Sequence, residues 1–172
     1  MLKNAGILLI LIAGVGMGYS RSRELTLRER NLRLFLQMVI CLKGEIRCGN
    51  LSLPEAFREI AGKLPGKYGE FLEEICLSLR EASGRPLGEI YRQCAEQKFK
   101  DLDFSREERE LFCSLGGRLG YLDREMQLRQ LDLCEEEILR YLDVLRKEMP
   151  EKKKIYQSLG VLGGVLLAVL LW

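Results

Sequence analysis

Histidine is absent from this chain of 172 residues, and its absence bounds the chemistry more tightly than any residue present. It removes the usual general base, the commonest metal ligand and the partner on which a catalytic Ser or Cys relies. Six cysteines are the reactive groups that remain: Cys41, Cys48, Cys76, Cys94, Cys113 and Cys134. They lie scattered, without the close C-x-x-C pairs of zinc or redox sites. Cys76 follows Phe71, Leu72 and Ile75, and Cys134 sits between Leu131 and Ile138, so their register predicts small buried hydrophobes in helix cores. The acidic runs, Glu107 and Glu108 with Glu110, and Glu135 to Glu137, are the other candidates. Consecutive helical residues diverge by about 100°, so such a run cannot converge on one ion and predicts a solvated face. No G-x-x-x-x-G-K-[ST] loop is present; Gly116 to Gly120 is too short and lacks the lysine. The sequence predicts no catalytic residue, metal or cofactor. It also predicts no nucleic-acid partner, because 27 basic and 25 acidic residues are interleaved rather than clustered.

The elements that carry these residues are bracketed by two apolar runs, Ala5 to Tyr19 and Ile155 to Trp172. A span takes roughly 20 apolar helical residues. The second run approaches that length, with Tyr156 and Trp172 at headgroup depth. The first is shorter, but Leu2 extends it, Lys3 can snorkel and Tyr19 marks an interface. Both predict transmembrane helices, at residues 1–20 and 155–172, around a cytoplasmic domain at 21–154. Arg21, Arg23, Arg28, Arg30 and Arg33 follow the first run and Lys147, Lys152, Lys153 and Lys154 precede the second, which places the domain inside and both termini outward. A secretory signal is the competing reading of the first run; it lacks an Ala-x-Ala site and is followed at once by positive charge.

The domain reads as an all-α bundle of about six antiparallel helices. Leu32, Phe35, Val39, Leu42 and Ile46 share one face of a helix over about residues 25–49. Ser52-Leu53-Pro54-Glu55 fits a capping box opening a second, with Leu53, Ala56, Phe57, Ile60 and Leu64 inward and Pro65-Gly66 as its stop. Phe71, Leu72, Ile75, Cys76 and Leu79 define a third, stopped at Ser83-Gly84. Pro86 opens a fourth with Leu87, Ile90, Tyr91 and Cys94. A second capping box at Ser105 opens a fifth with Leu111, Phe112 and Leu115. Gly116, Gly117 and Gly120 are expected to break the pattern, and Asp123 to cap a long sixth helix. Its stripe is Met126, Leu131, Cys134, Ile138, Leu142, Leu145 and Met149, with an interruption or kink at Pro150.

Two features have both a structural and a functional reading. Gly14-x-x-x-Gly18 and Gly160-x-x-x-Gly164 are small-residue pairs that let membrane helices approach closely, within one chain or between copies. Leu115 to Gln127 reads either as a helix-breaking turn before a capped helix or as an exposed docking loop.

Together, Glu45-Ile46, Leu53-Pro54-Glu55-Ala56-Phe57 and Leu115-Gly116-x-x-Leu119-Gly120-x-x-Asp123-Arg124-x-x-Gln127, followed by a charged long helix and an apolar C-terminus, resemble the stage III sporulation protein AB family of endospore-forming bacteria. That family is similar to the cytoplasmic helical domain of type II secretion and type IV pilus platform proteins. The resemblance implies a non-enzymatic platform in the mother-cell membrane around the forespore. Its implied partners are a cytoplasmic secretion-type ATPase, other membrane proteins of the same complex, the lipid bilayer and further copies of the chain. By matching position it implies Glu45, Pro54, Gly116, Gly120, Asp123, Arg124 and Gln127 as partner-contact or turn residues, with Leu53 and Leu119 as core. The cysteine count is high for the family. The alternatives are a membrane-tethered metal- or thiol-dependent enzyme and an exported disulfide-bonded domain.

Overall fold

Both capping boxes form, and they fix where helices begin. The computed structural model describes residues 2–48, 51–81, 84–120 and 123–170, with side chains described within these ranges from 19 to 156 and, outside that span, at 16, 158–159 and 161–163. Among the described residues the chain is all helical: α1 (Leu2–Cys48), α2 (Leu53–Ala61), α3 (Lys67–Glu81), α4 (Leu87–Lys98), α5 (Arg106–Leu119) and α6 (Arg124–Leu170). At α2 the Glu55 carboxylate accepts from the Ser52 amide (2.9 Å) and hydroxyl (2.6 Å). At α5 the Ser105 hydroxyl accepts from the Glu108 amide at 3.2 Å, while the Glu108 carboxylate accepts from the Ser105 amide at 2.7 Å. Each box satisfies amides that have no partner inside the helix. Gly66 (φ 57°) and Gly84 (φ 99°) supply the left-handed backbone of the turns before α3 and α4. Ser83 lies outside the described residues.

The chain divides into two compact units, residues 30–142, and residues 1–29 with 143–172. In the first, the face predicted for α1 is fully buried at Leu32, Phe35, Val39 and Leu42, joined by Met38. α4 packs against α5, α2 against α3, and α3 against α4. Phe112 is the centre of the core, its ring 4.8 Å from Phe35, 5.3 Å from Phe71 and 4.7 Å from Phe99. Leu131, Cys134, Ile138 and Leu142 of α6 are buried as their stripe predicts, but Met126 at its head is exposed. In the second unit Arg146 pairs with Glu29 at 3.1 Å and Ser22 is buried.

Four expectations are corrected. α2 stops at Gly62, before Pro65, because Gly62 takes the C-cap position; Leu64 is buried from the turn. Gly116 and Gly117 do not break α5, which continues to Leu119, because α4 packs against the glycines. α6 passes through Pro150 without interruption. The flanking transmembrane helices are not supported: among the described residues no helix is long and apolar enough to cross a membrane. The run between Lys3 and Arg21 is shorter than the roughly 20 apolar residues a span takes. The surroundings of Gly14, Gly18, Gly160 and Gly164 lie outside the described residues.

Candidate functional site

The segment from Glu45 to the start of α6 gathers most of the singled-out residues, and it does so by joining helix ends. A helix C-terminus leaves carbonyls without intrahelical partners and carries partial negative charge. Arg124, in the first turn of α6, donates Nε to the Ile46 carbonyl (2.9 Å) and Nη2 to the Arg47 carbonyl (2.5 Å), capping the end of α1. Gln127, three residues on, donates Nε2 to the Leu119 carbonyl at 3.2 Å, at the end of α5. Asp123 accepts from the Met126 amide at 2.8 Å, so it caps α6 as its residue type predicts. One short stretch thus ends two helices and starts a third. Tyr121 and Leu122 lie outside the described residues.

Ion pairs extend the junction. Glu45 accepts from Lys63 just beyond α2, and this pairing raises the Lys63 pKa. Lys43, two residues earlier in α1, bridges Glu135 and Asp132 of α6; the hydrogen bond to Glu135, then that to Asp132, raises its pKa. The acidic runs are divided among different partners, and the expected solvated face is corrected at Glu108, which is buried because its carboxylate closes the capping box. Glu135 faces Lys43 and Glu137 faces Arg118 at 3.9 Å, while Glu110 pairs with Arg92 at 2.9 Å and Glu108 is buried in its capping box. Among the described residues no group of three Cys, Asp or Glu side chains could hold a metal ion.

Pro54 and the glycines serve packing. Pro54 lies in the first turn of α2, and its carbonyl accepts from the Cys76 thiol at 3.7 Å. A Cβ on Gly116 would lie 2.2 Å from Cβ of Tyr91, and a Cβ on Gly88 would lie 2.8 Å from Cα of Gly117. Gly120 is the C-cap of α5 and donates its amide to Gly116. The described residues of Leu115–Gln127 therefore form a helix-packing surface, a C-cap and a capped helix start. All six cysteines are free thiols; Cys94, Cys113 and Cys134 are buried, and burial pushes Cys134 up to about 12.

The contacts of Arg109 and the unpartnered hydroxyl of Tyr91 escape sequence reasoning, although the burial of Tyr91 is expected from its helix face. Arg109 donates to the carbonyls of Phe99 (2.7 Å), Lys100 (3.2 Å) and Leu102 (3.0 Å), fixing the end of α4 and the loop after it. The Tyr91 hydroxyl is buried with no hydrogen-bond partner among the described residues, and desolvation drives its pKa well up. The Arg109 contacts reach back across the loop, beyond the span of a capping motif, and the Tyr91 hydroxyl is enclosed by residues of other helices.

The architecture defines a helical protein whose distinctive polar residues hold helix ends together. Residues 3–172 match the family described as Stage III sporulation protein AB, and the chain belongs to that family. It is similar to Stage III sporulation protein AB of Bacillus subtilis (strain 168), with 25% identity over 171 residues that cover 99% of each chain. No solved structure matches.

Proposed function

We propose that this chain is a non-enzymatic assembly platform of the sporulating cell. Its two apolar ends hold it at the mother-cell membrane around the forespore, with the bundle on the cytosolic side. A cytoplasmic secretion-type ATPase and other membrane proteins of the same secretion-like complex contact it there. The observation that carries this reading is that the family match runs through both apolar ends as well as the bundle, from residue 3 to 172. The absence of histidine from the sequence and the use of Asp123, Arg124 and Gln127 for helix capping support a structural role over catalysis. The work is mechanical: movement of the ATPase passes through the bundle to the membrane-held ends.

Isolation of the tagged full-length chain from sporulating cells tests the reading. The platform account expects the ATPase and the membrane partners to co-purify, and sporulation to stop at stage III when the chain is deleted. A chain that co-purifies with none of them from intact membranes contradicts it.

A further inference from the structure

In the unit formed by residues 1–29 and 143–172, nine basic residues stand against five acidic, whereas the remaining residues carry 18 basic and 20 acidic. Some of the nine are neutralised locally: Arg21 pairs with Glu24, Arg146 with Glu29, Lys147 with Asp143 and Lys152 with Glu148. Arg23, Lys153 and Lys154 have no ion-pair partner among the described residues.

These cations lie within a helical turn of exposed apolar side chains: Lys153 and Lys154 immediately precede Ile155 in α6, and Arg23 follows Tyr19 by four residues in α1. Ile155, Leu159 and Leu162 follow Lys154 at spacings of four and three residues, which puts them on one side of α6, and they are 53%, 62% and 65% exposed. On α1, Tyr19 is 67% exposed and lies four residues before Arg23, on the same side of its helix. Arg21 and Lys154 each lie eight residues, about 12 Å of helix, from the Glu29–Arg146 ion pair. Water solvates such an apolar row poorly, whereas the boundary between headgroups and acyl chains accepts it and places the tyrosine ring at headgroup depth. The unpaired cations beside it then meet lipid phosphates, and the attraction depends on the negative charge of the leaflet.

We propose that Arg23, Lys153 and Lys154, held at headgroup level by the neighbouring Tyr19, Ile155 and Leu159, select a bilayer containing anionic phospholipid over a zwitterionic one. This rests on the membrane-tethered reading above and adds to it which lipid is recognised.

The full-length chain is mixed with vesicles of phosphatidylcholine, with and without phosphatidylglycerol, and its partition is measured by flotation at low and high salt. Partition is expected to be at least about tenfold stronger with phosphatidylglycerol, to lose most of that preference at high salt, and to lose it when Arg23, Lys153 and Lys154 are all changed to Gln. Circular dichroism of the triple variant verifies that the helices are intact. Equal partition into both vesicles, or a preference unaffected by the triple variant, overturns lipid selection while leaving membrane tethering in place. A chain that floats with neither vesicle contradicts both. Partition into neutral vesicles joined by salt-sensitive capture of a soluble acidic protein would make these cations a protein-binding surface and likewise overturn the proposal.

Discussion

At the scale of single residues, two adjacent glycines have opposite roles. A glycine in a helix interior is ordinarily replaced by alanine with a gain of about 1 kcal/mol. Gly117 fits that rule, since a Cβ there meets nothing within 4 Å. Gly116 reverses it, because the added atom collides with the root of the buried Tyr91 side chain, which has no flexible end to move. Chemical denaturation should show Gly117→Ala stabilised by about 0.5–1 kcal/mol and Gly116→Ala destabilised by about 1–3 kcal/mol. Equal effects at the two sites would show that the α4–α5 approach is not what requires Gly116. Arg124 belongs to the same scale. Arg124→Ala leaves the Ile46 and Arg47 carbonyls without its guanidinium and should cost about 1 kcal/mol, discounted for exposure. Arg124→Lys should recover only part of this, because an ammonium cannot span both carbonyls in the planar fork. Both are measured by thermal or urea melts. The side chain types of Asp123, Ser52 and Ser105 announced their capping roles in the sequence, because a cap interacts within three or four residues. The role of Gly116 was not legible there, because it is decided by Tyr91 on another helix.

Elements begin where local chemistry dictates and end where packing allows. The four short helices and the inward faces of α1 and α6 follow from apolar spacing, and most of the expected inward residues are buried, although Cys76, Leu79 and Leu87 are only partly so and Met126 is exposed. Two local rules did not hold. Glycines at 116 and 117 did not end α5, since contact with α4 offsets their poor helix propensity. Pro150 did not end α6. The division at residues 29–30 and 142–143 was also invisible, since it falls within continuous helices and no turn residue marks it. The start of α2 carries a pH dependence. The Ser52 hydroxyl, then the Ser52 amide, lowers the Glu55 pKa from its ordinary 4.5. A carboxylate with a lowered folded-state pKa contributes stability above its unfolded value and loses it as pH falls through the folded one. Comparing the chain with Glu55→Gln by acid titration should show the wild-type advantage present at neutral pH and fading below 4.5. An advantage that persists undiminished in acid would mean that the ionised carboxylate is not what closes the box.

For the whole molecule, charge and apolar surface are distributed unevenly. Excess positive charge and the exposed row at Ile155, Leu159 and Leu162 lie with the chain ends, while residues 30–142 carry the aromatic core. A helical body held together by capping residues, with lipid-compatible ends, suits a protein that transmits force between a membrane and a cytosolic partner. Membrane-held ends with a cytosolic bundle are the central claim, and protease treatment of membrane vesicles of known orientation tests it most directly. The account predicts cleavage in the turns at residues 62–66 and 100–104 from the cytosolic side only, with both terminal segments retained in the membrane after an alkaline wash. Cleavage from the opposite side, or release of the intact chain by that wash, would contradict it.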